Sequence, residues 1–345
     1  MPLPEPLASA RRVCVAPMAG GPTTPALVAA AESHGAFAQL AAGYLGADAL
    51  RQRIAETRAL GAVRFGVNLF VPNPHPIDEH DYEAYWRAIE PDARSLLPDA
   101  AMVPRTEDDD AWEAKLAVVV AERVPLVSLT FGLPSAHDLR TLAAAGIATM
   151  QTVTSIEEAR AAAAAGVDAL VVQGVGAGGH SGVWAQDAVP ADVPLETLVR
   201  GVAAAVDLPI VAAGGIADRG AVRAALDAGA EAVAVGTAVL LADEAGTSAT
   251  HRAALVDDAY ERTALTRAFT GRPARALATA FVDAHADAPS GYPALHHLTR
   301  PMRSAAAAAG DPALLHVWAG TGWRMARAEP LAAVLDRLDP ESGAR

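Results

Sequence analysis

The sequence predicts an α/β protein, a (β/α)8 TIM barrel with an inserted helical segment and a C-terminal, mostly helical extension forming a lid. Three observations predict it. Eight short apolar runs alternate with helix-like segments between residues 13 and 235. The runs are continuous rather than alternating, as in parallel strands covered on both faces. The loops that follow them carry the glycines, prolines and polar residues that gather at one end of such a barrel. Eight units of this kind fit a closed barrel better than an open doubly wound sheet.

Each element has a local reason. Val13–Ala16 is the first strand, followed by the turn-rich Pro17–Pro25. Thr23 or Thr24 suits an N-cap with Pro25 in the first helical turn, and Gly35 ends that helix. Ala36–Leu40 and Arg64–Phe70 are the next strands, flanking a helix over 47–60. Two helices, 78–89 and 107–123, are expected as an insertion before the fourth strand, 125–129. Ser135 caps the following helix, and 147–151 is the fifth strand. Ser155 with Glu158 has the spacing of a capping box, and Gly166 stops that helix. Strands at 167–172, 208–213 and 232–235 complete the set, with helices at 195–206 and 219–226 between them. Beyond residue 240 the pattern is less regular. Helix is expected over 247–256, 292–309 and 312–319, and a strand over 263–268. The expected division is therefore a barrel at 1–70 and 125–245, inserted helices at 71–124, and a lid at 246–345.

Composition narrows the function. The chain has 345 residues, 52% hydrophobic and 19% charged, enough for a large core. Its net charge of −13, without basic runs, argues against a nucleic-acid partner and a polybasic membrane anchor. Cys14 is the single cysteine, which rules out an intrachain disulfide or a cysteine-built zinc site. No His/Asp/Glu cluster has metal-ligand spacing, so no metal is expected. No apolar run reaches the roughly 18 residues of a membrane span. Residues 1–12 lack a signal-peptide layout. A cytoplasmic enzyme for a small molecule is expected, with the alanine-rich outer helices able to pair it into a homodimer.

The chemistry centres on 173–182, Gln-Gly-Val-Gly-Ala-Gly-Gly-His-Ser-Gly. Glycines let backbone approach a ligand closely, and histidine suits proton transfer near neutral pH. Two later strand ends carry Ala213-Gly214-Gly215 and Gly236-Thr237. Backbone N–H groups at such ends make a phosphate cradle, which fits FMN. Asn68 and Gln173 stand at strand ends where they could bond a flavin edge, and the backbone of Met18 and Ala19 could approach the ring. Gly178 and Gly179 complete the loop that would aim His180 at the ring face. His34, His75, His80 and His137 are read as surface residues. His296 and His297 are placed within possible reach of the mouth.

On these motifs the sequence resembles the nitronate monooxygenase family, formerly 2-nitropropane dioxygenases. The matching stretches are Ala16-Pro17-Met18-Ala19-Gly20-Gly21, Phe65-Gly66-Val67-Asn68, Gln173-Gly174 with Ala177-Gly178-Gly179-His180-Ser181-Gly182, Ala213-Gly214-Gly215-Ile216, Val235-Gly236-Thr237 and Trp318-Ala319-Gly320-Thr321-Gly322. The resemblance implies noncovalent FMN in a TIM barrel. It implies that His180 removes the α-proton of a nitroalkane. The nitronate then gives an electron to FMN, O2 enters, and a carbonyl compound and nitrite leave. It also assigns Asn68, Gln173, Gly215, Gly236 and Thr237 to the flavin site, and makes Thr130 and Tyr292 candidate substrate residues. Two positions depart from the family pattern. Gly176 stands where many relatives have glutamate, and Thr130 where many have histidine. Two other readings remain open at this point: an NAD(P)H-dependent FMN enoyl-thioester reductase, and a flavin-binding barrel without catalysis.

Overall fold

The computed structural model describes residues 3–9, 11–73 and 75–341. Pro74 of the expected insertion and residues 342–345 of the expected lid lie outside them. The barrel strands are β1 (Val13–Val15), β2 (Gln39–Ala41), β3 (Gly66–Phe70), β4 (Leu126–Thr130), β5 (Ala148–Val153) and β6 (Ala169–Gln173). A two-residue strand, β7 (Gly179–His180), leaves the barrel before β8 (Ile210–Ala213) and β9 (Ala232–Val235) complete it. The eight barrel strands pair in parallel in the order β1-β9-β8-β6-β5-β4-β3-β2. Val15 N–H donates to Phe37 O at 2.8 Å and Val15 bridges Ala38, which joins the two ends. The sheet therefore closes, as the eight-unit pattern predicts.

Helices α1 (Pro25–Ser33), α2 (Ala47–Ala59), α3 (Glu79–Leu96), α4 (Trp112–Ala121), α5 (Ala136–Ala144), α6 (Ile156–Ala165), α7 (Leu195–Ala205) and α8 (Arg219–Asp227) follow in chain order. Their starts are set by side-chain caps. Thr24 Oγ1 accepts from Leu27 N–H at 2.9 Å, Ser135 Oγ from Asp138 N–H at 3.2 Å, and Asp218 Oδ1 from Ala221 N–H at 2.8 Å. Ser155 Oγ accepts from Glu158 N–H at 3.1 Å, but the capping box is not reciprocal. The Glu158 carboxylate instead takes Thr154 N–H at 2.6 Å and Trp184 N–H at 2.9 Å. It thus ties the loop after β7 to α6.

Between β3 and β4 the chain divides. The stripe Tyr82, Tyr85, Ile89 and Ala93 turns α3 toward the lid. Trp112, Leu116 and Val119 turn α4 into the barrel wall. The stretch after residue 240 divides as well. The lid holds α9 (Ala249–Leu255), β10 (Thr263–Thr266), β11 (Ala274–Leu277), α10 (Ala280–Ala284) and α11 (Ala294–Ala309). Strands β10, β11 and β7 make a small antiparallel sheet, so the lid is less helical than expected. The expected helix at 312–319 is absent, and Trp318 bridges Ala276 there. Finally, α12 (Leu331–Leu338) returns to the barrel and packs beside α1 and α8. Its Leu331, Val334, Leu335 and Leu338 are wholly buried. At roughly 1.5–3 kcal/mol each, their burial contributes about 6–12 kcal/mol before ordering entropy is subtracted. The helix is thus the eighth outer helix of the barrel, and the lid is inserted ahead of it.

Candidate active site

A cavity of about 500 Å³ opens where the carboxyl ends of the barrel strands meet the lid. Its size lies within the ~300–1,000 Å³ usual for small-molecule and cofactor sites. The barrel side supplies Met18, Ala19, Asn68, Thr130 and Gln173, then Gly178, Gly179 and His180. The ends of β8 and β9 supply Ala213, Gly214, Gly215, Gly236 and Thr237. These sequence candidates all line one cavity. Tyr292 does not; it lines a neighbouring cavity and turns its ring edge to His180, with centroids 5.8 Å apart.

His180 is fixed from every side. Its strand β7 pairs with β11 opposite Ala274, and Gln173 Nε2 donates to His180 O at 3.3 Å. Gln173 Oε1 accepts Gly182 N–H at 2.6 Å, so this side chain clamps the loop. Phe131, Tyr292 and Trp318 surround the imidazole ring. Its Nε2 lies 2.8 Å from Thr270 Oγ1. Burial, helped by the Arg272 and Arg303 guanidiniums, pushes the histidine pKa down to about 3. The ring is therefore neutral at physiological pH, the form that accepts a proton.

Asn68 Nδ2 donates to Ser128 Oγ at 2.9 Å and to Thr130 Oγ1 at 3.0 Å. Thr130 Oγ1 lies 3.3 Å from Thr152 Oγ1. A chain of hydroxyls thus occupies the end of the fourth strand at Thr130. Met18 is locked by Thr23, which accepts its N–H at 2.8 Å.

The glycines have two distinct reasons. The N–H groups of Gly214, Gly215 and Gly236 have no acceptor among the described residues. Three free donors at adjacent strand ends fit a bound phosphate, so the residues present suit a flavin mononucleotide. Gly178 is required by close packing instead. A Cβ there would lie 2.5 Å from Gly320 N and 2.8 Å from Thr237 Oγ1. Gly176 faces Thr321, whose Oγ1 would be 2.9 Å from an added Cβ. The segment 318–322 thus fills the space that a side chain at Gly176 would use.

The lid contributes groups that the sequence did not single out. Arg272 is fully buried, with its guanidinium 4.0 Å over the Phe131 ring and a bond to Val183 O. Arg303 donates to Thr299 Oγ1 at 3.0 Å and His296 O at 2.8 Å. Burial lowers both guanidinium pKa values to about 10, which leaves them charged. Neither forms a salt bridge with a carboxylate among the described residues. His251 and His316 also line the cavity, as does His296, while His297 pairs with Asp108 at 2.6 Å. His34, His75, His80 and His137 are exposed, as expected. No metal-binding cluster occurs among the described residues.

The model of a family described as nitronate monooxygenase matches residues 6–341. A nitronate monooxygenase from Paraburkholderia phytofirmans is 37% identical over 332 residues, covering 94% of this chain and 90% of that protein. A probable nitronate monooxygenase from Staphylococcus aureus strain Newman is 34% identical, covering 92% and 90%. Among solved structures, nitroalkane oxidase from Streptomyces ansochromogenes superposes with a TM-score of 0.91 at 44% identity, covering 96% of this chain and 95% of that one. FabK from Thermotoga maritima superposes with a TM-score of 0.73 at 25% identity, covering 96% and 92%.

Proposed function

Because the chain belongs to the nitronate monooxygenase family, we propose that it oxidises alkyl nitronates with O2 to carbonyl compounds and nitrite, using FMN. Nitroalkanes enter the same path after His180 removes their α-proton. The observation that carries this reading is a neutral histidine lining the cavity beside the buried Arg303, with the buried Arg272 just behind it on the neighbouring cavity and no carboxylate bonded to either guanidinium. Such a field favours an anion, and a nitronate is one.

Gly214, Gly215 and Gly236 offer N–H groups to the cofactor phosphate, with Thr237 beside them. Asn68, Gln173, Met18 and Ala19, which line the same cavity, would border the flavin ring. A bound flavin would supply the electron-transfer chemistry between the nitronate and oxygen. The chain's own residues do the rest. His180 accepts the carbon-bound proton, and the imidazolium formed then faces the new nitronate charge, which offsets the cost of a buried cation. The aromatic wall of Phe131, Tyr292 and Trp318 limits water around that ion pair. The enzyme is taken to work in the cytoplasm; no helix of the described residues is long and apolar enough to cross a membrane.

The test uses His180→Asn in the flavin-loaded enzyme. Visible absorbance reports whether flavin stays bound. Oxygen uptake is measured with a neutral nitroalkane and with its preformed nitronate. General-base assistance is worth roughly 10²–10⁴ in rate, so nitroalkane kcat/KM falls by that factor while nitronate oxidation survives. Equal loss on both substrates removes His180 from the base role. Anaerobic bleaching by NADPH but not by nitronate replaces the oxidase reading with a reductase.

A further inference from the structure

We propose that Nδ1 is the atom of His180 that takes the proton, and that the Thr270 hydroxyl selects it by accepting the Nε2–H. This rests on the base reading above and names its atom.

The two ring nitrogens have different surroundings. Nε2 points at Thr270 Oγ1, 2.8 Å away. Nδ1 has no hydrogen bond among the described residues, and it is not sealed into protein. His180 and Thr270 both line the cavity of about 500 Å³, and Nδ1 is the ring nitrogen left without a protein partner there. A neutral imidazole carries one N–H and one lone pair, and the bond made at one nitrogen decides the state of the other.

Thr270 is built to accept. A hydroxyl has one proton and two acceptor lone pairs. Arg272 O, 3.4 Å away, receives the Thr270 hydroxyl proton, and Arg272 N–H donates to Oγ1 at 3.4 Å. The remaining lone pair of Oγ1 faces Nε2. Thr270 cannot turn to water, because it is 1% exposed and sits in a turn closed by Thr270 N–H and Gly271 N–H on Arg267 O. With the proton held on Nε2, the lone pair is on Nδ1, the nitrogen left for the substrate.

The same contact serves the protonated ring. Arg272, Arg303, His296 and His316 are basic groups that interact with this imidazole, and Tyr292 packs against it. None of them is an anion at neutral pH. The Nε2–H to Oγ1 bond is then the group that stabilises the imidazolium, and a charged donor strengthens it. In the step itself the substrate C–H bond breaks, its proton bonds to Nδ1, and its electron pair stays on the nitronate. The Nε2 proton does not move.

Thr270→Ser and Thr270→Val in the flavin-loaded enzyme test this, with parent and His180→Asn beside them. Losing a bond to a charged donor predicts a fall of about 10–100-fold in nitroalkane kcat/KM for Thr270→Val. Oxidation of preformed nitronate stays near the parent value, and Thr270→Ser restores nitroalkane turnover. Nitrogen NMR of histidine-labelled parent, assigned with His180→Asn, shows the Nε2–H tautomer. A parent ring protonated on Nδ1 overturns the proposal, as does an equal effect of Thr270→Val on both substrates. If His180→Asn itself spares nitroalkanes, the base reading fails, whatever the tautomer.

Discussion

Gly178→Ala adds one methyl group, and the structure says where it goes. The new Cβ would lie 2.5 Å from Gly320 N, 2.7 Å from Ala319 C and 2.8 Å from Thr237 Oγ1. Ordinary contacts lie at about 3.5–4.0 Å, so residues 319–320 must retreat by roughly 1 Å. Two of their hydrogen bonds are at stake, Gly320 N–H to Thr237 Oγ1 at 2.9 Å and Ala319 N–H to Arg275 O at 3.2 Å. Overpacking costs about 1–3 kcal/mol and each bond about 0.5–1.5 kcal/mol. The stiffer unfolded chain returns about 0.4–1 kcal/mol. The net loss is about 2–5 kcal/mol. Unfolding entropy near 2.1 cal/mol/K per residue gives about 0.7 kcal/mol/K for 345 residues. Differential scanning calorimetry of the flavin-loaded enzyme should then show Tm lower by about 3–7 °C. Gly176→Ala is the milder comparison: its Cβ comes nearest to the movable Thr321 hydroxyl, at 2.9 Å, and reaches backbone only at 3.3 Å, Gly215 Cα, so its shift should be about 1 °C. Equal Tm values for Gly178→Ala and parent would refute the packing argument.

Acid should destabilise the fold. Burial holds His180 at about 3 and His251 at about 4, and His296 and His316 are also lowered. A folded pKa below the unfolded one means that the unfolded chain binds protons first. Stability is therefore lost as pH falls below about 6.5, by up to about 1.4 kcal/mol per pH unit for each such histidine. A Tm unchanged between pH 7.5 and 5 would contradict neutral buried histidines. For the same reason nitroalkane kcat/KM should show no acid limb near pH 6.5, a profile measured by oxygen uptake. Lys115→Met should cost about 3–5 kcal/mol in urea unfolding, because it strands Asp110, now 2.7 Å from the ammonium, in a closed site. Adding Asp110→Asn should recover part of that loss; an unchanged double variant would mean that the charge was not the cause.

The strands and the loops after them were legible because buried parallel strands are continuous apolar runs ended by turn residues. The positions of Asn68, Gln173, His180, Gly214 and Gly236 followed from that register. The expected helix ends at Ile89, two residues before Pro91, but α3 runs on to Leu96. A proline there removes one backbone donor, and the packing of Ala93 in the lid holds the next turn. An apolar stripe also does not say what it packs against, so α3 and α4 looked alike although one faces the lid and the other the barrel. Strands β7 and β11 were beyond reach, since two and four residues carry no period and their partners are distant in sequence. Thr270 and Arg272 were missed for a similar reason. Nothing local marks a buried arginine, and only the turn that brings residue 270 to the imidazole gives the threonine a role.

The return of α12 to the barrel has a consequence for synthesis. All eight barrel strands have left the ribosome once residue 235 has emerged, but α12 is complete only at residue 338. At ~5–20 residues per second, the remaining stretch of about 100 residues takes roughly 5–20 s. For that interval the seam between α1 and α8 is bare apolar surface, open to holdases or to another nascent copy. Truncation anywhere before Leu331 would make that interval permanent.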